Sequence, residues 1–457
     1  MLMWCLSGVV MLFVHYPSLD EGRRVEALQP IAWTSCCRWP QIADDMAIES
    51  ATLENLAGAP VLRVRPAGGP EQTIDLGQAQ VISHVTDVQA QAVAAGFGSL
   101  RAQHSAGRRI DQDQWTVSGE FKRHRPLHLF ALADPPGTQI YVSDTTGQAV
   151  QLTTASGRFW NWLGAVPHWL YPTLLRRNPA LWTQVVIWTS LLGVFLTLTG
   201  LYVGWAAFRP YDDRRWSAYR RVWLWHHVAG LVFGVLTLAW ILSGLVSMNP
   251  WGFLDGDGDG SVAARLTGPP HAWRDVRTVV QRLAASPPDV PVVQAEITPF
   301  AGRLYILIHR RSGAIERLDA GGRPAPMTAP DLAAAAGRIA GGTGARGLMT
   351  REDAYYFSHH ETARLPVYRV IQNSGERDYL DPRTGELVAA FGADARGYRW
   401  LHQALHRGDF IPGMRRGPAW AAAMLLLLAG VTFGVATGVW LGCKAVWRDV
   451  RRSIRRS

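Results

Sequence analysis

Five of the fourteen histidines in this 457-residue chain stand where an imidazole could do more than decorate a surface. His226 and His227 open a long apolar run one turn after a group of arginines, and His168 precedes a second such run. His402 and His406 precede a third, four residues apart and so on one helical face. Any one histidine at the edge of a membrane bundle can serve simply as an interfacial hydrogen-bonding residue. His168 and His406 differ because they occupy the same place in two repeats described below. A two-fold axis relating the repeats brings them face to face, and two facing imidazoles suit the axial positions of one iron. No C-x-x-C-H motif occurs, so a porphyrin there would be held non-covalently, as haem b. His402, one turn from His406, is the fallback partner.

The elements that must position these histidines are membrane helices. Stretches around 181–206, 222–248 and 419–443 hold twenty or more residues with almost no charge, each long enough to cross a hydrocarbon core of about 30 Å. A purely soluble enzyme is excluded. The run from Met1 to about Val14 is too short to span and lacks the charged start and cleavage site of a signal peptide. It reads as the outer half of a membrane helix whose beginning lies upstream. Arg209, Arg214, Arg215, Arg220 and Arg221 between the second and third spans place that loop in the cytoplasm. Lys444, Arg448, Arg451, Arg452, Arg455 and Arg456 place the tail there too. Arg176, Arg177, Arg415 and Arg416 at the opposite ends weaken this contrast without reversing it. The net charge of +10 follows mostly from topology and is not a nucleic-acid footprint. Trp182, Trp205, Trp223, Trp225, Trp251, Trp420 and Trp440 bracket the spans, where the indole prefers the interface.

An internal repeat organises the chain. Trp4-Cys5-Leu6-Ser7-Gly8 matches Trp240-Ile241-Leu242-Ser243-Gly244 at an offset of 236. At an offset of 238, Tyr141 and Gly147 match Tyr379 and Gly385, while Arg158, Trp162, Leu163 and His168 match Arg396, Trp400, Leu401 and His406. Thr199-Gly200 and Gly204 fall on Thr437-Gly438 and Gly442 at the same offset. Each unit is helix, extracytoplasmic block, helix. An even number of crossings separates the copies, which gives them one orientation and a pseudo-two-fold axis along the membrane normal.

The expected organisation is a first membrane helix at 1–15, a block at 16–180, a span at 181–206, a cytoplasmic loop at 207–221, a span at 222–248, a second block at 249–417, a span at 418–443 and a tail at 444–457. The fold class is a helical membrane bundle with two α+β domains. Within the blocks, DDMAIESATLENLAG near 44–58 reads as helical and leads into the strand APVLRVRP. Segments 138–152 and 365–390 read as hairpins with Thr-Gly turns, and 255–270, 286–292 and 320–330 as loops. Gly430, Gly434, Gly438 and Gly442, at four-residue spacing, signal either close helix packing or room for a flat macrocycle, with Gly230/Gly234 and Gly200/Gly204 repeating the pattern. The adjacent Cys36 and Cys37 are poorly placed to bridge each other, and Cys5 and Cys443 lie in apolar segments. No nucleophile elbow, P-loop or dinucleotide fingerprint occurs.

RFWNWLGAVPHWLYPTLLRRNPALW (158–182), WHHVAGLVFGVLTLAWILSG (225–244) and YRWLHQALHRGDF (398–410) resemble the PepSY-associated transmembrane family, especially its ferric-siderophore reductase branch. The resemblance covers nearly the whole chain. It implies a bacterial inner-membrane protein of four helices, two periplasmic PepSY-like domains and two haems, passing electrons outward to siderophore-bound iron. In the family's H-x-x-x-G motif, His226 with Gly230 is the match and His227 is one residue out of register. The corresponding first-repeat histidine would fall about ten residues before Met1, so the cytoplasmic-side haem that the resemblance implies lacks one expected ligand in this sequence.

Rival sites read less well. Asp255-Gly256-Asp257-Gly258-Asp259-Gly260 starts like a calcium loop, but position 12 is Leu266, where a bidentate glutamate is needed. Glu361 beside His359-His360 lacks H-E-x-x-H spacing. Two function classes remain: a haem electron carrier and ferric-chelate reductase fed by a quinol or a partner protein, and a non-enzymatic membrane accessory whose histidines line interfaces. A transporter is weaker, because no acidic or lysine residue lies within the spans.

Overall fold

The computed structural model describes residues 1–101, 107–208, 217–254, 258–340, 344–359 and 363–455. Asp255 to Asp257, His360, Glu361, Arg209, Arg214, Arg215 and Arg456, on which several expectations rest, lie outside the described residues.

The first half runs α1 (Leu2–Met11), α2 (Glu21–Ala27), β1 (Ala47–Leu56), β2 (Ala59–Pro66), β3 (Gln72–Asp75), β4 (Gln80–Ile82), α3 (Asp87–Ala95), β5 (Arg108–Ile110), β6 (Leu127–Ala131), β7 (Gln139–Ser143), β8 (Ala149–Thr153), α4 (Ala155–Leu163), α5 (Ala165–His168), α6 (Thr173–Arg176) and α7 (Pro179–Ala207). The second begins with α8 (Val222–Val246) and α9 (Gly258–Thr267), then β9 (His271–Ala272), α10 (Trp273–Ala285), β10 (Gln294–Phe300), β11 (Arg303–His309) and β12 (Ile315–Asp319). It continues through α11 (Ala329–Ala340), β13 (Ala345–Met349), β14 (Val367–Ile371), β15 (Arg377–Leu380), β16 (Leu387–Phe391), α12 (Ala393–Tyr398), a π-helical turn (Arg399–Ala404), α13 (Leu405–Arg407) and α14 (Pro418–Ile454).

Three helices, α7, α8 and α14, are long and apolar enough to cross a membrane, and α1 is a shorter apolar helix. The chain is a multi-pass membrane protein that also carries α+β domains. Helix α8 packs against both α7 and α14, while α1 packs against α14 and α5.

The two extramembrane blocks meet in one eight-stranded sheet ordered β12-β11-β10-β1-β2-β3-β4, with β9 paired to β1. Its central pair joins the repeats. Ala51 faces Ile297, Thr52 faces Glu296 and Leu53 faces Ala295, all antiparallel. Adding 244 to the residues of β1 exchanges the members of this register, so the pseudo-two-fold axis passes through the Thr52–Glu296 pair. The turns at Ala57-Gly58 and Ala301-Gly302, both at positive φ, obey the same offset. Primed turns of this kind match the twist of a tight hairpin. Each block adds its own four-stranded sheet, β5-β6-β7-β8 and β13-β14-β15-β16. The Thr-Gly turns of these smaller sheets press on the shared one. A Cβ at Gly147 would lie 2.8 Å from Leu56, and one at Gly385 2.8 Å from Phe300, and both glycines have positive φ.

Two segments differ from expectation. Residues 47–56 form β1, not a helix. Sandwiched between β2 and β10, β1 satisfies its backbone on both edges and buries Ala51 and Leu53, and this pairing overrides local helix propensity. Within the expected loop 255–270, Gly258–Thr267 is helical, because Val262 and Leu266, four apart, bury against Ala335 and Ile339 of α11.

A polar network crosses the seam. Buried Glu54 is bound by Arg63 and, at 2.9 Å, by Arg24, and Arg24 also donates to Gln294 of the other repeat at 3.2 Å. Gln294 donates in turn to Glu296 at 2.7 Å. Burial, and then the charge of Glu386, pushes the Glu296 carboxyl up to about 8. Its folded value lies above the unfolded one of about 4.3, so the native state holds the extra proton and stability falls as pH rises between those values. Glu296→Gln is expected to flatten the decline in apparent melting temperature between about pH 5 and 8. Thermal scans across that range check this, and an unchanged slope would exclude Glu296 as its source.

Candidate functional site

The seam aligns the two copies so that His168, ending α5, and His406, on α13, meet beside the membrane bundle with ring centres 6.0 Å apart. His402, in the π-helical turn, lies 5.4 Å from His406. The two copies orient their rings by the same device. Ser7 on α1 donates its hydroxyl proton to the Met3 carbonyl at 2.7 Å, and Ser243 on α8 donates to Trp240 at 2.9 Å. With the proton committed, each hydroxyl oxygen accepts from an imidazole Nδ1–H, that of His168 at 3.1 Å and that of His406 at 2.9 Å. His168 Nδ1 also reaches the Trp4 carbonyl at 3.2 Å, and His402 Nδ1 donates to the Ser243 carbonyl at 2.8 Å. A carbonyl only accepts, so all three rings carry their proton on Nδ1 and keep the Nε2 lone pair. Among the described residues none hydrogen-bonds to Nε2 of the three.

Burial pushes His168 down to about 4, and burial, then His402 and His168, push His406 down to about 3. Both are therefore neutral at physiological pH, the form that binds a metal. His402 has no counterpart, since Gly164 occupies its place at the 238 offset, packed against Val10.

At the other end of α8 the same logic separates two neighbours. His226 Nδ1 donates to the Gly434 carbonyl at 3.0 Å, with Thr437 Oγ1 at 3.2 Å, and so retains its Nε2 lone pair. His227 donates from Nε2 to the Gly204 carbonyl at 2.7 Å, so its Nδ1 lone pair accepts from Ser217 at 2.7 Å. Both nitrogens of His227 are thereby engaged, and this buried ring ties α7, α8 and the connecting loop together. The α14 glycines are not all alike: Gly430 and Gly434 are closely packed, whereas a Cβ at Gly442 would meet nothing within 4 Å. A Cβ at Gly430 would lie 2.2 Å from the Phe233 ring, and one at Gly438 2.9 Å from His226.

Other repeat-related contacts frame the cluster. Arg158 donates to the Gly137 carbonyl at 3.1 Å and Arg396 to that of Gly375 at 2.8 Å. Trp182 Nε1 donates to Trp169 at 3.0 Å and Trp420 Nε1 to Arg407 at 2.9 Å. Among the described residues, no group of three or more His, Cys, Asp or Glu side chains converges on a point that could hold a bare metal ion.

Residues 1–442 match the model of the PepSY-associated TM region, and the chain belongs to that family. No curated protein and no solved structure matches it.

Proposed function

We propose that this chain is a haem b protein of the bacterial inner membrane, with α1 completing a set of four membrane helices and both large blocks in the periplasm, and that it reduces iron(III) held by siderophores or similar chelators. The observation that carries this reading is the pairing of His168 and His406. Two imidazoles bonded to one metal at about 2 Å each have ring centres about 6 Å apart. The observed 6.0 Å, the neutral rings and the Nε2 atoms, which carry no hydrogen bond among the described residues, would suit two imidazoles that hold one haem iron between them. His402 shares one helical face with His406, so the pair cannot approach a macrocycle from opposite sides.

In this reading His168 and His406 would hold the iron through Nε2, while Ser7 and Ser243 fix the tautomer and plane of each ring. His226 is the ligand this chain offers to a second haem near the cytoplasmic face. Haem bound at these positions supplies one-electron chemistry at an outward-facing site. Hard oxygen chelators hold iron(II) far less tightly than iron(III), so a one-electron reduction releases iron without breaking the chelator. The electron enters from a quinol or a partner protein, since the chain carries no dinucleotide fingerprint.

Stopped-flow mixing of the reduced protein with ferric siderophores and with the matching gallium complexes, which cannot be reduced, tests the reading. Reoxidation at least tenfold faster with iron is expected, about 1.4 kcal/mol of activation free energy. Equal rates, or a colourless preparation, would favour the membrane-accessory reading.

A further inference from the structure

The segments leading into His168 and His406 are built inside out. On α4, Asn161 is 1% exposed, donating to the carbonyls of His15 and Gly157 at 2.8 Å each. Phe159, Trp160, Trp162 and Leu163 on the same short helix are 43–59% exposed. The second copy repeats the inversion at the same offset. Arg399, which corresponds to Asn161, is 1% exposed, whereas Trp400 and Leu401, which correspond to Trp162 and Leu163, are 37% and 47% exposed. A helix in water places its polar residues outward and its aromatic residues inward. The reverse order, present twice, needs an apolar surrounding on the outer side.

We propose that α4 and the Arg399–Ala404 turn lie in the headgroup layer of the leaflet that surrounds α7, α8 and α14, and that the partner of their exposed faces is the lipid surface. The argument for lipid over another protein is continuity with the membrane bundle. Helix α4 packs on α1, and the π-helical turn packs on α8. Trp169, Leu174 and Leu181 extend the exposed apolar surface from α4 into α7, and Phe410 and Ile411 extend it from α13 toward α14. Tryptophan in particular is suited to that layer, with an apolar ring and one donor. The His168–His406 pair then sits at the membrane boundary, within reach of molecules dissolved in the bilayer as well as in water. This placement is independent of whether any haem is bound.

Nitroxide labels report it in the full chain, reconstituted in phospholipid nanodiscs, after all four cysteines are removed by Cys5→Ser, Cys36→Ser, Cys37→Ser and Cys443→Ser. Labels are placed singly through Phe159→Cys, Trp162→Cys and Leu401→Cys, with Val88→Cys and Leu348→Cys as exposed controls on the sheet domains. Oxygen concentrates in lipid and a nickel chelate in water. The three test labels are expected to relax at least twofold faster with oxygen than with the chelate, and the controls to show the opposite order. Far-ultraviolet circular dichroism confirms that each variant is folded. Test labels that follow the controls would overturn the proposal.

Discussion

Alanine at His168 or at His406 is expected to remove the low-spin haem signal of the outer site and to lower haem content by about one per chain. Both substitutions should have the same effect, because the haem iron would be held by one imidazole from each copy. His402→Ala should leave the signal in place, since its ring lies on the same helical face as His406 and the opposite copy offers His168 to the pair. His226→Ala should remove a different haem, with the outer signal retained. His227→Ala is the control that separates ligation from packing. It strands the Ser217 hydroxyl and the Gly204 carbonyl, costing about 1–3 kcal/mol of stability without spectral change. Pyridine haemochrome content and the low-temperature electron paramagnetic resonance spectrum of each variant decide the matter. Unchanged haem in both His168→Ala and His406→Ala would remove the site from consideration.

Which parts of this arrangement can be read from sequence depends on whether a residue acts locally or through a distant partner. The offset of 238 was legible because Arg158/Arg396, Trp162/Trp400 and His168/His406 sit in short segments whose register survived in both copies. In the structure these pairs make equivalent contacts, as do Tyr141 and Tyr379, whose hydroxyls donate at 2.8 Å to Asp113 and Asp353. The seam was hidden. It follows an offset of 244, at which β1 and β10 share one identical residue, Ala51 and Ala295, and otherwise only apolar matches such as Leu53 with Ile297. The strand character of β1 arises from pairing on both edges, with the adjacent β2 and with β10, more than two hundred residues away. Ser7 and Ser243 were visible as matching letters in the repeat, yet their role needs the geometry that sets them against Nδ1. His226 and His227 are indistinguishable by type and differ only in which carbonyls the neighbouring helices present.

Breaking the Arg399–Asp409 pair is expected to destabilise the chain by about 3–5 kcal/mol, because either partner alone is left as a buried charge without its main counter-charge. Arg399 and Asp409 are 1% and 0% exposed and meet at 2.8 Å, and Arg399 also donates to the Ala354 carbonyl at 2.9 Å. The other Asp409 oxygen lies 2.8 Å from His359 Nε2. The first repeat places Asn161 and Tyr171 at these positions, so this charged clamp belongs to one copy only. It closes the segment carrying His402 and His406 at both ends. Burial opposes ionisation of Asp409, yet His359 and Arg399 hold its carboxyl below the usual aspartate range. Its folded value is thus below the unfolded one, so its contribution is present at neutral pH and is lost as pH falls through the acid range. Asp409→Ala and Arg399→Ala should each lower the apparent melting temperature at pH 7 by several degrees. Arg399→Met combined with Asp409→Leu should recover most of the loss, because an apolar pair of similar volume leaves no charge to solvate. A double variant as unstable as the sum of the single ones would mean that the two residues act separately.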